Sequence, residues 1–255
     1  MILAIVQARA SSSRLPGKVM LPVHGAPMLL RQIERVRRST ALDSIVIATS
    51  DQSEDDPVAD LAPQAGVDHF RGSLDDVLDR YYRAAERYSP DHVVRITGDC
   101  PLIDWNVIDG CVQFMIDGAY DYASNTLRPT WPDGLDVEAM TFDALRTAWE
   151  QGRGIVEREH VTQFIHRHPD RFRLGSYESA RDLSDLRWTV DEPEDLEFVR
   201  QVYDALYPAN AAFTYEDVLG LIESRPDIAL LNAAFERNEG LKRSEEAELK
   251  ADKNG

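Results

Sequence analysis

Three cations are spaced along a short loop near the start of the chain, in the stretch VQARASSSRLPGK. Arg9, Arg14 and Lys18 lie among serines and a glycine, which leave backbone N–H groups accessible. Such a loop can curl around an anion, with the planar fork of an arginine and the compact charge of a lysine as donors. The spacing is not that of a Walker A loop, because Val19 follows the lysine.

The local charge around this loop differs from that of the whole chain. The formal net charge is -17, yet no Asp or Glu precedes Glu34, where about six would be expected from the average composition. A positive loop in an acidic chain indicates a phosphate-binding site. The alternative is a polar loop whose cations pair with acids elsewhere.

Two aspartates follow apolar segments that are typical of strands. Asp99 lies in RITGDCPLID, and Asp191 lies in RWTVDEPEDLEF before a helix that Pro193 opens. Mg²⁺ typically takes one or two protein carboxylates and completes its shell with water and substrate phosphates. The two aspartates therefore predict a magnesium site facing the basic loop. The alternatives are a helix cap for Asp191 and a turn aspartate for Asp99.

Other catalytic motifs are missing from the sequence. His166 and His168 are two residues apart, so they do not share a helix face and indicate no zinc site. No G-x-S-x-G elbow appears, and neither Cys100 nor Cys111 has a neighbouring base. His160 is either a substrate contact or part of a solvated helix face.

The composition limits the class of protein. The acidic balance argues against binding to nucleic acid or to an anionic membrane surface. No apolar run approaches the roughly 20 residues that a membrane span needs. With two cysteines and no disulfide framework, we expect a cytoplasmic protein.

Strand and helix patterns alternate through the first half of the chain. The alternation predicts parallel strands with right-handed crossovers, so both motif loops should lie at the carboxyl edge of one sheet, where ligands bind. Strands are predicted at 3–7, 44–49, 67–70 and 92–97, with helices at 28–38, from Pro57, at 75–88 and at 105–116.

The second half is less regular. Strands are predicted at 121–124, 135–139, 171–177 and 187–190, with helices at 141–151, 156–168, 192–207 and 215–223. A single domain over residues 1–237 is expected. Residues 238–255 are charged and lack apolar periodicity, which predicts a flexible tail.

The motifs together carry a family resemblance. VQARASSSRLPGK, RITGDCPLID, PDGLDVE, EREHVT and WTVDEPEDL resemble the SpsF-like cytidylyltransferases of spore-coat polysaccharide biosynthesis. These are similar to the CMP–sugar synthetases for acylneuraminate and 3-deoxy-manno-octulosonate. The resemblance covers roughly residues 1–235 and implies a three-layer α/β/α, Rossmann-like fold of the nucleotide-diphospho-sugar transferase type, with a mostly parallel sheet.

The resemblance also implies roles for individual residues. Arg9, Ser12, Arg14 and Lys18 match the loop that binds the nucleoside triphosphate in that family, and Asp99 and Asp191 match its metal-linked aspartates. Lys18, Arg14 and Asp99 are the expected catalytic residues, with CTP as donor and Mg²⁺ as cofactor. The chain departs from the octulosonate-type motif at Glu192, which replaces a threonine.

The remaining predictions concern the acceptor, the contact between subunits and two further residues near the nucleotide. The acceptor is expected to be an acidic sugar, such as a nonulosonic acid, or a related phosphate or phosphonate. The segment 125–165 is a candidate acceptor or dimer-contact region of the homodimer that the family implies. Asn125, Asp133, Asp136 and Glu138 are predicted to face the acceptor, and Arg71 and Asp76 to approach the nucleotide.

Three alternatives stay open on the sequence alone. The first is a glycosyltransferase that uses a nucleotide sugar, although TGDCP holds one aspartate rather than an Asp-x-Asp pair. The second is a donor with another base, GTP or UTP. The third is an assembly partner that keeps the fold without catalysis.

Overall fold

Strands and helices alternate along the chain in the computed structural model, which describes residues 1–12 and 14–235. The strands are β1 Ile2–Gln7, β2 Pro22–Val23, β3 Ala26–Pro27, β4 Ser44–Ser50, β5 Asp68–Gly72, β6 His92–Thr97, β7 Tyr122–Ser124, β8 Glu138–Thr141 and β9 Leu174–Ser176. The helices are α1 Met28–Val36, α2 Asp56–Ala65, α3 Val77–Glu86, α4 Trp105–Asp117, α5 Phe142–Gln151, α6 Ile155–Glu159, α7 Gln163–Arg167, α8 Pro193–Leu206, α9 Tyr215–Ser224 and α10 Pro226–Ala229.

Seven of the strands form one sheet in the order β5-β4-β1-β6-β8-β7-β9. β1 pairs in parallel with β4 and β6, β4 with β5, and β7 with β9. β8 runs antiparallel to both of its neighbours, β6 and β7. The sheet is therefore mostly parallel, as predicted.

Helices cover both faces of the sheet because its central strands are apolar on both sides. In β1, Ala4 and Val6 belong to the core shared with α1, α2, α4 and α8, while Leu3 and Ile5 belong to the core shared with α3 and α5. All four side chains are fully buried. This alternation gives the predicted three-layer α/β/α arrangement.

Several helices begin and pack as their sequences indicate. In α1, Leu29, Ile33 and Val36 are fully buried on one face. Asp76 caps α3 by accepting the backbone N–H of Asp79 at 2.9 Å, which satisfies one of the free N–H groups at the helix start.

Two predicted elements are wrong. The helix predicted over 156–168 is divided into α6 and α7, because Val161 between them has a φ of 54°. Within the described ranges, the strand predicted over 187–190 pairs with no other strand and forms one isolated bridge, between Arg187 and Asp133. The limit predicted at residue 237 and the tail 238–255 lie outside the described residues.

Within the described part of the chain, none of the helices is both long and apolar enough to cross a membrane.

Candidate active site

The loop after β1 is held in shape by its own backbone and by one buried carboxylate. The N–H of Gly17 donates to the carbonyl of Ala10 at 2.9 Å, and the N–H of Ala10 donates to Asp55 Oδ1 at 2.6 Å. Gly17 has a φ of 68°, a conformation that glycine adopts without strain. The chain then enters a single 3-10 turn, Lys18–Met20, which directs Lys18 inward.

The ammonium group of Lys18 lies among three oxygen acceptors. Its Nζ donates to Asp99 Oδ2 at 3.2 Å, to Asp191 Oδ1 at 2.8 Å and to the carbonyl of Val190 at 2.7 Å. Lys18 is 8 % exposed. Lys18, Asp99 and Asp191, predicted from separate motifs, therefore meet at one point.

Backbone hydrogen bonds hold the two aspartates at the carboxyl edge of the sheet. The N–H of Gly98 donates to the carbonyl of Gln7 at 2.7 Å, and the N–H of Val190 donates to the carbonyl of Asp99 at 2.8 Å. A Cβ at position 98 would lie 2.7 Å from the Gln7 carbonyl oxygen, so the close approach of β1 and β6 requires a glycine there.

The charges at this point stabilise one another. Burial opposes ionisation of Asp99, but the neighbouring ammonium of Lys18 outweighs it and lowers the pKa of Asp99 to about 2. Burial likewise opposes the charge on Lys18, and Asp99 and Asp191 outweigh it and raise the pKa of Lys18. Arg14 adds a second cation, with its guanidinium 2.7 Å from Asp191 Oδ1.

Two connected cavities open on this group. The loop cavity has a volume of about 270 Å³, and its walls include the predicted residues Arg9, Ser12, Arg14, Lys18, Asp99 and Asp191. The chamber, of about 380 Å³, includes the predicted residues Asp133, Asp136 and Glu138. The structure thus places four of the six predicted nucleotide residues and three of the four predicted acceptor residues in adjoining spaces.

A buried ionic cluster forms one wall of the chamber. Glu138 forms an ion pair with Arg95 and accepts hydrogen bonds from the hydroxyls of Tyr122 at 2.6 Å and Thr162 at 2.7 Å. Burial opposes ionisation of Glu138, but Arg95 outweighs it and lowers the pKa of that carboxyl.

A second buried cluster adjoins the chamber, which Arg187 and Asp133 line. Arg187 donates to both carboxylate oxygens of Asp195 at 2.9 Å and lies 3.4 Å from Asp133. Asp195 also accepts the N–H of Asp191 at 2.9 Å. This network fixes Asp191 at the start of α8 and joins it to the chamber wall.

Three of the predicted site residues lie outside both cavities. Arg71 bonds the carbonyls of Ser50 and Gln52 and pairs with Asp56. Asp76 is the cap of α3 and pairs with Arg158.

The third such residue is Asn125, which is fully buried. It donates to the carbonyl of Leu135 at 2.7 Å and accepts from the N–H of Val137 at 2.9 Å. Because these local contacts use the polar groups of Arg71, Asp76 and Asn125, we do not carry the three predictions into the site.

The residues missed from the sequence are those whose roles depend on burial. Arg95 lies in RITGDCPLID, and Arg187 and Asp195 lie in RWTVDEPEDLEF, but nothing local in these motifs indicates the ion pairs that the three residues form. Asp55 has no motif around it. One signal was present: Lys18 is the only lysine among residues 1–241, where all the other strongly basic side chains are arginines. The composition therefore singles out Lys18, which the loop motif also predicts.

The carboxylates can be tested for a fit to a divalent cation. Among the described residues there is no cluster of three or more side chains of the types that ligate metals. Asp99 and Asp191 do converge, since an oxygen of each lies within 3.2 Å of the same Lys18 nitrogen. Two carboxylates beside a phosphate site are the donor set that Mg²⁺ takes in nucleotide enzymes, so the residues fit.

A mostly parallel sheet with a cationic loop and paired aspartates at its carboxyl edge defines a nucleotidyltransferase with a Rossmann-like fold. A solved cytidylyltransferase from Leptospira borgpetersenii superposes with a TM-score of 0.87 and 32% identity, over 92% of this chain and 99% of that chain. This similarity confirms the predicted fold class.

The family is shown by the sequence. The Cytidylyltransferase family model matches residues 3–225, and the chain belongs to that family. It is 33% identical to the spore coat polysaccharide biosynthesis protein SpsF of Bacillus subtilis, over 89% of this chain and 96% of that protein. It is 27% identical to the 3-deoxy-manno-octulosonate cytidylyltransferase of Photorhabdus laumondii, over 79% of this chain and 85% of that protein. The predicted resemblance is confirmed, and the protein is a nucleotidyltransferase rather than a glycosyltransferase or a non-catalytic partner.

Proposed function

We propose that the protein transfers CMP from CTP to a small acceptor and releases pyrophosphate, in the biosynthesis of a surface polysaccharide or glycoconjugate. One observation carries the proposal: Asp99 and Asp191 converge on Lys18 where the loop cavity meets the chamber. The family and its relatives, whose names include cytidylyltransferases, support CTP as donor.

The loop cavity is the proposed triphosphate site. Arg9, Ser12, Arg14 and Lys18 line it, and the cations among them would hold the phosphate oxygens by charge-assisted hydrogen bonds. The acceptor would occupy the chamber beside Asp133, Asp136 and Glu138. Acidic sugars, phosphates and phosphonates are the acceptor classes carried from the sequence.

The reaction is an in-line displacement. An acceptor oxygen forms a bond to the α-phosphorus while the bond from the α-phosphorus to the bridging oxygen breaks, and pyrophosphate leaves. Lys18 and Arg14 stabilise the charge that develops on the leaving group. Asp99 and Asp191 would hold Mg²⁺, which when bound supplies charge neutralisation and orientation of the reacting oxygens. Positioning and electrostatics supply most of the rate.

The test is pyrophosphate release from CTP, GTP, UTP and ATP with Mg²⁺ and a panel of acidic sugars, sugar phosphates and phosphonates. We expect release with CTP, lowered about 10²–10³-fold in Lys18→Ala and Asp99→Asn because each change removes a charge that is held in place for the transition state. Arg225→Ala is the matched control, since Arg225 is an exposed cation paired with Asp227 and lines neither cavity. Wild-type turnover of CTP by both site variants would contradict the proposal.

A further inference from the structure

His160 lies where the two cavities meet. Six of the described residues line both cavities: Arg14, Arg95, Thr97, Asp99, His160 and Asp191. If the nucleotide fills the loop cavity and the acceptor fills the chamber, the attacking oxygen and the α-phosphorus meet beside these residues. The inference that follows rests on the proposed function.

Five of the six are poorly suited to accept a proton. Arginine side chains keep their protons in proteins, and the hydroxyl of Thr97 is a weak base that lies 3.3 Å from Cys100 Sγ. Asp99 and Asp191 both form ion pairs with Lys18 and are the proposed magnesium ligands, so their oxygens are already engaged. His160 is the remaining group, and an imidazole changes charge near neutral pH.

The backbone holds the His160 ring at this junction. α6 ends there, with the N–H of His160 donating to the carbonyl of Val156 at 2.9 Å. Val161 follows with a φ of 54° and a fully buried side chain, a conformation that a β-branched residue adopts only when the surroundings impose it. Thr162 is then fixed through its hydrogen bond to Glu138.

We propose that His160 accepts the proton of an acceptor hydroxyl, and that the acceptor therefore reacts through a hydroxyl group rather than through a phosphate or phosphonate oxygen. In the step, the hydroxyl oxygen forms its bond to the α-phosphorus and its proton passes to a ring nitrogen of His160. The electron pair of the broken phosphorus–oxygen bond leaves with pyrophosphate. A phosphate or phosphonate dianion would carry no proton to remove.

The charges of the chamber agree with a hydroxyl acceptor. Among the described residues, the two chamber arginines that are not assigned to the triphosphate, Arg95 and Arg187, are paired with the carboxylates of Glu138 and Asp195. A phosphoryl dianion would have to compete with those carboxylates. Hydroxyl groups can donate hydrogen bonds to them instead.

Charged and titratable groups surround His160 on each side. Glu159 adjoins it, with Oε2 3.8 Å from His160 Nε2. The same cavities are lined by Arg14 and Asp191 from the loop and the start of α8, by Arg95 from β6, by Asp99 from the loop after β6, and by His166 from α7. Carboxyl and guanidinium groups ordinarily titrate outside pH 5–8, so His160 and His166 are the groups to separate by mutation.

The experiment compares His160→Gln, which keeps a polar side chain but cannot take up the proton, with wild type and with His69→Gln. His69 is exposed on β5 and lines neither cavity. Pyrophosphate release is measured with CTP–Mg²⁺ and two acceptor sets: hydroxyl acceptors (3-deoxy-manno-octulosonate, an acylneuraminate and neutral polyols) and phospho acceptors (sugar phosphates and phosphonates). CTP–Mg²⁺ binding is measured separately by calorimetry.

We expect turnover with a hydroxyl acceptor, and a kcat lowered about 10²–10⁴-fold in His160→Gln with CTP–Mg²⁺ affinity within about twofold of wild type. His69→Gln should match wild type. Because the imidazole must be neutral to accept a proton, wild-type kcat/KM should fall as the pH falls from 8 to 5. The plot of kcat/KM against pH should therefore show an inflection in this range for wild type and none for His160→Gln. His166→Gln should keep it.

Three outcomes overturn the inference: turnover confined to phospho acceptors, no turnover with any hydroxyl acceptor, or an unchanged kcat in His160→Gln. If His160→Gln does not fold, a wild-type kcat/KM that does not change between pH 5 and 8 would also overturn the inference. The proposed function fails separately, by the absence of CTP–Mg²⁺ binding and of pyrophosphate release with any acceptor.

Discussion

Lys18 illustrates how the type of a single residue can be dictated by geometry. Its three N–H donors match three acceptors, which are Asp99, Asp191 and the carbonyl of Val190. A guanidinium presents its donors in a wide planar fork and cannot occupy the same point among them. The choice of lysine here, in a stretch whose other strong bases are arginines, follows from that difference.

Replacing the ammonium of Lys18 with a guanidinium keeps the positive charge but changes the geometry of its donors, so we do not expect it to preserve activity. We expect Lys18→Arg to lower kcat/KM for CTP by about 10²-fold or more, close to the effect of the uncharged Lys18→Met. Pyrophosphate release at saturating acceptor measures the effect. A Lys18→Arg enzyme with near-wild-type kcat/KM would show that charge alone is sufficient.

The Asp99–Lys18 pair should also be visible in the pH dependence of stability. The pKa of Asp99 is about 2 in the folded protein and about 3.9 in an unfolded chain. Ionised Asp99 therefore stabilises the fold above about pH 4, by about 2 kcal/mol, and this contribution is lost as the pH falls toward 2. Urea unfolding from pH 7 to pH 3 should show the advantage of wild type over Asp99→Asn shrinking with acidification. A difference independent of pH would contradict the assignment.

At this scale the sequence predicts what lies inside a motif and misses what depends on burial. Lys18, Arg14, Asp99 and Asp191 were predicted, and the structure brings them together. Asp195, the buried partner of Arg187, was not among the predicted site residues. Nothing local shows that its carboxylate points inward. Arg71 was predicted at the nucleotide, but nearby carbonyls and Asp56 hold its guanidinium.

Among the elements, continuous apolar strands were predicted best. β1 and β6 lie within one residue of their predicted bounds, since a buried parallel strand is apolar on both faces. The segment 187–190 has similar composition, yet its backbone bonds to loops: the N–H of Trp188 donates to Asp133 and that of Val190 to Asp99. Composition predicts an extended chain and does not identify its partner.

Gly134 permits the backbone of the segment 187–190 to lie close to the loop that contains Asp133. Its φ is 105°, and a Cβ there would lie 2.5 Å from the N of Thr189. We expect Gly134→Ala to lower the free energy of unfolding by at least about 2 kcal/mol through backbone strain and overlap, and to raise the KM of the acceptor because Asp133 adjoins it. Denaturant unfolding and acceptor kinetics measure the two effects.

Gly220→Ala provides the control for that substitution. Gly220 is in the interior of α9, and a Cβ there would meet nothing within 4 Å. The added methyl group should stabilise the protein by about 0.5–1 kcal/mol. Equal responses at the two positions would contradict the role given to Gly134.

Across the whole molecule, one reversed strand explains how the acceptor wall joins the nucleotide edge. Because β8 is antiparallel to β6, its first residue, Glu138, pairs with Arg95 near the carboxyl end of β6. A parallel strand would place its first residue at the opposite edge. The predicted mostly parallel sheet is confirmed, but the direction of this strand could not be read from its alternation of side chains.

Removing residues from the C-terminal end should leave stability and CTP–Mg²⁺ binding unchanged until Asn232 is lost. A chain ending at Arg237 should keep its Tm within about 2 °C and keep CTP–Mg²⁺ binding, because the charged segment 238–255 lacks apolar periodicity. A chain ending at Leu231 should lose about 1–3 kcal/mol, because it removes Asn232, which donates to Asp195 and to the carbonyl of Arg187 at 2.9 Å. Calorimetric melting of both chains checks the limit, and equal stabilities would contradict it.

The position of Lys18 has a consequence for how the binding of metal and the binding of nucleotide affect each other. Before any ligand binds, the two carboxylates already share the positive charge of one ammonium and of Arg14. A divalent cation arriving alone would meet carboxylates whose charge is largely matched, whereas a triphosphate offers the two cations other oxygens to bind. Metal and nucleotide should therefore strengthen each other's affinity, by the same factor in both directions, so that the free protein holds magnesium weakly and the nucleotide complex holds it well.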